Sequence, residues 1–206
     1  MKVLLINGSP HEKGCTYTAL SLIAGELNAA GIETEILNVG TKPVGGCIGC
    51  GGCRSGNGCV FGGVVNEAIE KAKTADAFVF GSPVHYASAA GNMASFMDRL
   101  AYAGGKYLAY KPAAVCCSAR RAGTTSTLDQ LVKYPQFFHM PLVNGSYWAM
   151  VHGSNPEQVL QDAEGCAVMQ ELGRNMAWLL HCIEAGKAAG IDHPQNPPRP
   201  MTNFIR

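Results

Sequence analysis

The chain has 206 residues, close to half of them apolar, with 16 basic against 15 acidic side chains. That length suits one domain with a full layered core, and the apolar fraction excludes disorder. The charge balance removes the electrostatic reason to expect nucleic acid or an anionic membrane as partner, and it also argues against an obligate electron carrier steered by strong net charge.

The first apolar stretch, residues 1–6, is too short for a signal peptide, and no apolar run reaches membrane-spanning length. The expectation is a soluble, cytoplasmic protein whose nine cysteines are thiols or ligands rather than disulfides. Residues 3–6 form a continuous apolar run, the pattern of a strand buried on both faces, and it ends at Asn7-Gly8-Ser9-Pro10. Residues 16–30 read as a helix with Leu20, Ile23, Ala24 and Leu27 on one face and Gly31 at its stop. A second strand at 34–39 precedes a stretch with nine glycines between Gly45 and Gly63, a composition that excludes regular structure.

A short helix at 64–73 leads to a third buried strand at 77–80, ended by Gly81-Ser82-Pro83. A helix at 90–102 buries Met93, Phe96, Met97 and Leu100, and a fourth strand at 113–117 opens onto Ser118-Ala119-Arg120-Arg121. A helix is expected at 127–132 and a fifth strand at 142–147, followed by Tyr147 and Trp148 as core or interface aromatics. Ser154 or Asn155 caps a last long helix with Pro156 at its first position. Its stripe runs Val159, Ala163, Cys166, Met169, Leu172, Met176, Leu179 and Ile183. Cys116, Cys117, Cys166 and Cys182 fall in apolar patterns and are expected in the core. Residues 193–206, with four prolines, read as an irregular arm after a domain spanning 1–192.

Strands alternating with helices indicate an α/β protein with a parallel sheet covered on both faces. Ligands of such sheets bind outside the carboxyl ends of the strands, at the switch point. Three strand ends carry small or polar turn residues, at Gly8-Ser9, Gly81-Ser82 and Ser118, and they nominate one shared site.

The loop from Gly8 to Thr16 joins the first strand to the first helix. Glycine lets backbone approach an anion, Ser9 and Thr16 offer hydroxyls, and the helix start adds free N–H groups and a favourable dipole. A P-loop does not fit, because five residues separate Gly8 from Gly14 and Cys15 stands where lysine should be; the dinucleotide fingerprint is absent too. The loop suits a phosphate monoester such as that of FMN, or else it is an ordinary Ser-Pro turn with a helix cap.

Gly-Ser-Pro followed by Gly-x-Thr resembles the phosphate loop of the flavodoxin-like NADPH-dependent FMN reductase family, with His11 in place of an arginine and Cys15 in place of an asparagine. Ser82-Pro83-Val84-His85-Tyr86-Ala87-Ser88, with Phe96-Met97-Asp98-Arg99 downstream, is similar to the family's second flavin loop and following helix. The segment from Ser118 to Thr125 stands where the third loop is expected. The resemblance implies a flavodoxin-like three-layer sandwich with a five-stranded parallel sheet ordered 2-1-3-4-5. It further implies FMN held by Ser9, His11, Cys15, Thr16 and Tyr17, by Pro83, Val84, His85 and Tyr86, and by Ser118, Arg120, Arg121 and Gly123. Either His85 or Tyr86 then offers a stacking face, and one of the two arginines meets negative charge at the pyrimidine end of the flavin; solvated surface is the other reading of those arginines. No protein catalytic residue is implied.

Cys47, Cys50, Cys53 and Cys59 form a C-x2-C-x2-C-x5-C run. It resembles the compact motif of the iron–sulfur flavoproteins, a branch of the same fold, which implies ligands to a candidate [4Fe-4S] cluster in a loop, 43–63, inserted after the second strand. Zinc, free thiols and a thiol/disulfide loop are the other readings. The implied activity is an FMN-dependent oxidoreductase. NAD(P)H is its co-substrate and electron donor, and its acceptor is a quinone, a flavin or a one-electron redox protein partner. A homodimer or tetramer is implied, with no nucleic-acid or membrane partner. A non-enzymatic FMN/iron–sulfur carrier and a cysteine-based redox sensor are the rivals.

Overall fold

The computed structural model describes residues 1–198 and 200–202. Its sheet is built on five parallel strands, β1 (Lys2–Asn7), β2 (Glu33–Asn38), β3 (Ala77–His85), β5 (Ala113–Ala119) and β6 (Met150–His152), in the order β2-β1-β3-β5-β6. The order agrees with the expected 2-1-3-4-5 when only the parallel strands are counted. A two-residue strand, β4 (Ser88–Ala89), folds back antiparallel onto the end of β3.

Alternation along β1 assigns the two faces. Val3 and Leu5 join one core with α1 (Cys15–Ala29) and α6 (Ala163–Ala188), while Leu4 and Ile6 join the other. The second core contains α2 (Val64–Thr74), α3 (Gly91–Gly104) and Leu131 of α4 (Thr124–Phe137). Phe78 and Phe80, stacked with centroids 5.9 Å apart and fully buried, anchor that second face. Phe80→Ala is expected to lower stability by about 3–5 kcal/mol in urea unfolding, the range for emptying a buried aromatic site.

Sequence and structure part at four places. The fifth strand is not at 142–147: Leu142 makes one isolated bridge to Ala113, and pairing resumes only at Met150 opposite Cys117. Residues 144–148 bulge outward between these points, because the edge segment has more residues than β5 has partners for. The bulge leaves a cavity of about 410 Å³ against Val115 and Leu128. Tyr147 and Trp148 therefore precede the strand, pack edge to face at 4.6 Å and are exposed rather than core.

The last helix is also interrupted. Asn155 caps only α5 (Pro156–Val159), and Asp162 caps α6 by accepting from Gly165 N at 2.9 Å while its second oxygen accepts from His152 N at 2.7 Å. The buried stripe of α6 is Gly165, Val168, Met169, Leu172, Gly173, Met176, Ala177 and Leu180. Of the expected stripe residues in α6, Met169, Leu172 and Met176 are buried, while Ala163 is exposed and Cys166, Leu179 and Ile183 are only half-buried. The small residues turn inward because a Cβ at Gly173 would lie 2.8 Å from Ile23 O, so α6 sits close against α1. Cys182 is exposed beyond the end of this packing, unlike buried Cys116 and Cys117.

β3 continues past Phe80 to His85, because Gly81, Ser82 and Pro83 still pair with β5. α4 starts at Thr124 and runs to Phe137, with Pro135 in its last turn, beyond the expected 127–132. The described part of the C-terminal arm has no regular structure, and Arg199 and residues 203–206 lie outside the described residues. Within it His193 stacks on Tyr110 at 4.4 Å, and Asn196 Nδ2 donates to the Tyr110 hydroxyl at 2.6 Å.

At the β2 border, Glu35 bridges Lys2 at 2.8 Å and Lys71 at 2.6 Å, and Glu33 meets Lys2 at 3.2 Å. No helix among the described residues is long and apolar enough to cross a membrane.

Candidate functional site

The first strand-end loop is organised from below by Asn7, which is fully buried. Its Nδ2 donates to Asn38 Oδ1 at 2.8 Å and Glu12 O at 3.1 Å, and its Oδ1 accepts from Ser9 N at 3.1 Å. Ser9 Oγ then accepts from His11 N at 3.1 Å, curling the chain toward Gly14. Gly14 caps α1 with no side-chain hydrogen bond and no acidic residue in the first turn. The helix start therefore offers backbone donors and a positive dipole end to an anion, with no carboxylate in its own first turn. The Cys15 thiol is pushed up by burial and stays neutral, donating to Gly153 O at 3.6 Å, so it adds no negative charge there.

Gly40, just past β2, lies hard against this loop. A Cβ there would stand 2.4 Å from both Gly8 O and Ser9 O. The backbone of one strand exit thus shapes the turn of another. Nothing in the motif reading pointed to Gly40, although a glycine directly after a strand was the available signal.

The second loop is a tight hairpin. Val84 pairs with Ala89 and His85 with Ser88, leaving Tyr86 and Ala87 as the turn, with φ of 51° and 58°. Two left-handed residues in a two-residue hairpin form the turn that favours Asn-Gly, so this one holds strain at its tip. The Tyr86 ring is fully solvent-exposed. Ser82 Oγ closes the base, donating to Pro83 O at 2.9 Å and accepting from Ala90 N at 3.0 Å.

The third loop brings the others together. Buried Ser118 shares a 2.8 Å hydrogen bond with Thr16 Oγ1 of the first loop. Gly123, at φ 92°, comes so close to the hairpin that a Cβ would lie 2.7 Å from Ala87 Cα and 2.9 Å from Val84 Cγ1. Ser126 Oγ donates to Ala87 O at 2.7 Å, and Gln130 Oε1 accepts from Ala89 N at 2.9 Å and Ser88 Oγ at 2.7 Å. Beneath it, burial raises both the Cys116 and Cys117 thiols, the latter to about 12, which makes them neutral core groups.

Of the residues singled out from sequence, Ser9, Thr16, Pro83, Val84, Ser118 and Gly123 stand at the junction of these loops. His11, His85, Tyr86, Arg120 and Arg121 are exposed around it, and the two arginines make no ion pair among the described residues. Half-buried Tyr17 lines a separate depression between α1 and β2, with Glu12, Lys13 and Asn38. The uncapped helix start, the close approach at Gly40 and the shared hydroxyl contact fit a phosphate-bearing flat cofactor such as FMN. The more apolar cavity beside the edge-strand bulge lies elsewhere.

The cysteine loop hangs on α3. Asn92 Nδ2 donates to Gly40 O and Lys42 O, both at 3.0 Å, and its Oδ1 accepts from Val44 N at 3.1 Å. Cys53 lies in a short 3-10 turn, Gly52–Ser55, between Gly51 at φ 71° and Gly56 at φ 83°. Cys47 and Cys50 are exposed, Cys53 and Cys59 half-buried, and all four are free thiols. Among the described residues no group of three or more His, Cys, Asp or Glu is gathered to hold a metal ion. The donor set, four thiols in one glycine-rich loop, has the chemistry of an iron–sulfur ligand set; holding one requires the loop to draw its sulfurs together. Cys59 alone is anchored, by Arg99 and Asn66, neither of which the motif reading assigned to the cysteine run.

The sequence profile described as NADPH-dependent FMN reductase matches residues 1–155. An iron-sulfur flavoprotein of Methanocaldococcus jannaschii is 28% identical over 192 residues, spanning 89% of this chain and 100% of that protein. A solved NAD(P)H:quinone oxidoreductase from Methanothermobacter marburgensis has a TM-score of 0.65 at 18% identity, covering 85% of this chain and 96% of that one. A flavodoxin from the domain Archaea has a TM-score of 0.60 at 14% identity, covering 88% and 99%. The fold is flavodoxin-like.

Proposed function

The chain belongs to the NADPH-dependent FMN reductase family, and from that premise we propose that its three strand-end loops hold FMN and that its acceptor is a quinone, a flavin or a one-electron partner. It is an oxidoreductase that uses FMN and NAD(P)H between a small-molecule donor and acceptor. FMN held in those loops would supply the hydride-accepting and electron-releasing chemistry between nicotinamide and acceptor.

The chain's own residues hold and shield the cofactor. The backbone donors at the start of α1, from Cys15 to Tyr17, with the Ser9 hydroxyl, take the phosphate. The Val84–Tyr86 hairpin backbone lies along the ring edge, with the exposed Tyr86 ring beside the donor's approach. Arg120 or Arg121, exposed and without an ion pair among the described residues, meets negative charge at the pyrimidine end. The observation that carries this reading is the contact of the first and third loops through Thr16 and Ser118, with Gly123 packed on the hairpin.

Cys47, Cys50, Cys53 and Cys59 are the residues that would hold a [4Fe-4S] cluster, which would supply single-electron transfer. Ile48, Val60 and Phe61, all exposed on that loop, suit docking of a redox protein and favour the carrier as the second reading. Free thiols suit a cytoplasmic setting, and assembly as a homodimer or tetramer completes the proposal.

The test is anaerobic oxidation of NADPH and NADH by FMN-loaded protein with a quinone acceptor. Turnover with the quinone is expected. A fully flavinated protein inert toward both nucleotides would overturn the reductase and favour the carrier.

A further inference from the structure

Among the described residues, Arg99 is a buried cation without a carboxylate partner. It sits on α3 between Phe96 and Leu100, is 6% exposed, and points its guanidinium under the cysteine loop. Nε donates to Cys59 Sγ at 3.2 Å, Nη1 to Gly45 O at 3.3 Å and Nη2 to Gly62 O at 3.0 Å. The Phe61 ring lies 5.4 Å from its centre. The neighbouring Asp98 is engaged elsewhere, accepting from the Tyr134 hydroxyl at 2.6 Å. Burying a guanidinium against carbonyls, a sulfur and a ring face leaves its charge uncompensated, which costs stability unless an anion arrives.

The three contacts have a geometric meaning. Gly45 lies before the first cysteine of the run and Gly62 after the last, so one side chain ties both ends of the loop to α3. Asn66 completes the hold on Cys59. Its Oδ1 accepts from Cys59 N at 2.8 Å and its Nδ2 donates to Cys59 O at 3.0 Å. Gly58, at φ 82°, makes room for this clamp, since a Cβ there would lie 2.9 Å from Asn66 Oδ1. Cys59 thus has backbone and sulfur both fixed. Cys47 and Cys50, by contrast, are exposed and flank Gly49, which has open space around it.

We propose that Arg99 and Asn66 are positioning residues that make Cys59 the fixed ligand, onto which the glycine-hinged remainder of the loop closes around a negatively charged iron–thiolate group. This rests on the cluster reading above. The guanidinium fork is essential, because three acceptors in different directions are served by one planar group, and a lysine ammonium has no such reach.

The test compares full-length, FMN-bound wild type with Arg99→Gln, Arg99→Lys and Asn66→Ala. All are reconstituted anaerobically with ferric iron, excess thiol reductant and sulfide. Bound flavin reports folding, iron loss to a chelator reports cluster retention, and hydrogen exchange of peptides covering 45–62 in the iron-free proteins reports loop closure. Both Arg99 variants are expected to keep FMN yet lose iron about tenfold faster or more, the order expected when a charge-assisted hydrogen bond is removed. Their 45–62 peptides exchange faster, and any cluster that Arg99→Gln retains has a more negative potential, because the cation favouring the reduced state is gone. Asn66→Ala moves iron loss and exchange in the same direction by less. A wild type that takes up no iron overturns the cluster reading and this role of Cys59 with it. A wild type that takes up iron, with Arg99→Gln holding it equally well, overturns the proposal for Arg99 alone. Arg99→Lys matching wild type overturns the three-point clasp.

Discussion

Gly40→Ala is expected to weaken FMN binding far more than it weakens the fold. The added methyl would lie 2.4 Å from Gly8 O and Ser9 O, and both obstacles are backbone, so no side chain can swing aside. Either β2 shifts at its exit or the first loop gives way. Overpacking of this kind costs about 1–3 kcal/mol in stability, but the larger effect falls on the cofactor. Moving the Gly8–Ser9 backbone displaces the Ser9 hydroxyl and the helix-start amides downstream of it, and each charge-assisted hydrogen bond to a phosphate contributes about 1.5–3 kcal/mol. Misplacing one or two of them weakens FMN binding by roughly a hundredfold, as about 2.8 kcal/mol requires. Fluorescence titration of the apoprotein with FMN measures this. Gly46→Ala is the control, since its nearest contact would be Ser95 Oγ at 3.9 Å. Equal flavin affinity in Gly40→Ala and wild type would remove the first loop from the site.

Replacing Tyr86-Ala87 by Asn-Gly should make the protein more stable and a poorer enzyme. Both residues now sit at positive φ, 51° and 58°, where an L-residue with a Cβ pays about 1–2 kcal/mol. Asn-Gly relieves that in the same turn type, so urea unfolding should show a gain of about 1–2 kcal/mol. The substitution also removes a fully exposed aromatic ring from the hairpin tip. Stacking contributes about 0.5–1.5 kcal/mol beyond area, which predicts up to about tenfold lower kcat/KM for NAD(P)H. Stability and kcat/KM both unchanged would mean that the tip is neither strained nor in contact with the reactants.

Much of this architecture could be read along the chain because the local signals were unambiguous. β1, β3 and β5 are continuous apolar runs ended by turn residues, and the buried faces of α1 and α3 match the expected Leu20, Ile23, Ala24, Leu27 and Met93, Phe96, Met97, Leu100. The fifth strand was misplaced because the apolar residues at 142–143 begin an edge segment that leaves the sheet before rejoining it, a choice made by tertiary pairing. The break between α5 and α6 depends on Asp162 bonding outside its own helix, to His152 N. At the site, the motifs marked the loops but not what holds them in place. Gly40, Asn92 and Arg99 act across long sequence separations, and Asn66 reaches back to Cys59 across a glycine-rich turn. Gly40, a glycine directly after a strand, carried a local signal. So did Arg99, a charge three residues after Phe96 on the apolar face of α3, since a cation at that position must find partners inside.

The two outer borders of the sheet are defended by different means. On one, carboxylates and lysines line β2; on the other, the detour at 144–148 leaves β6 only three residues long. Charged side chains on the first and shortness of the second both discourage a foreign strand from templating itself there. Copies of the chain that associate are therefore expected to meet through helical flanks or loops. Protein crowded at high concentration should stay free of fibrils even when the cysteine loop is oxidised or emptied.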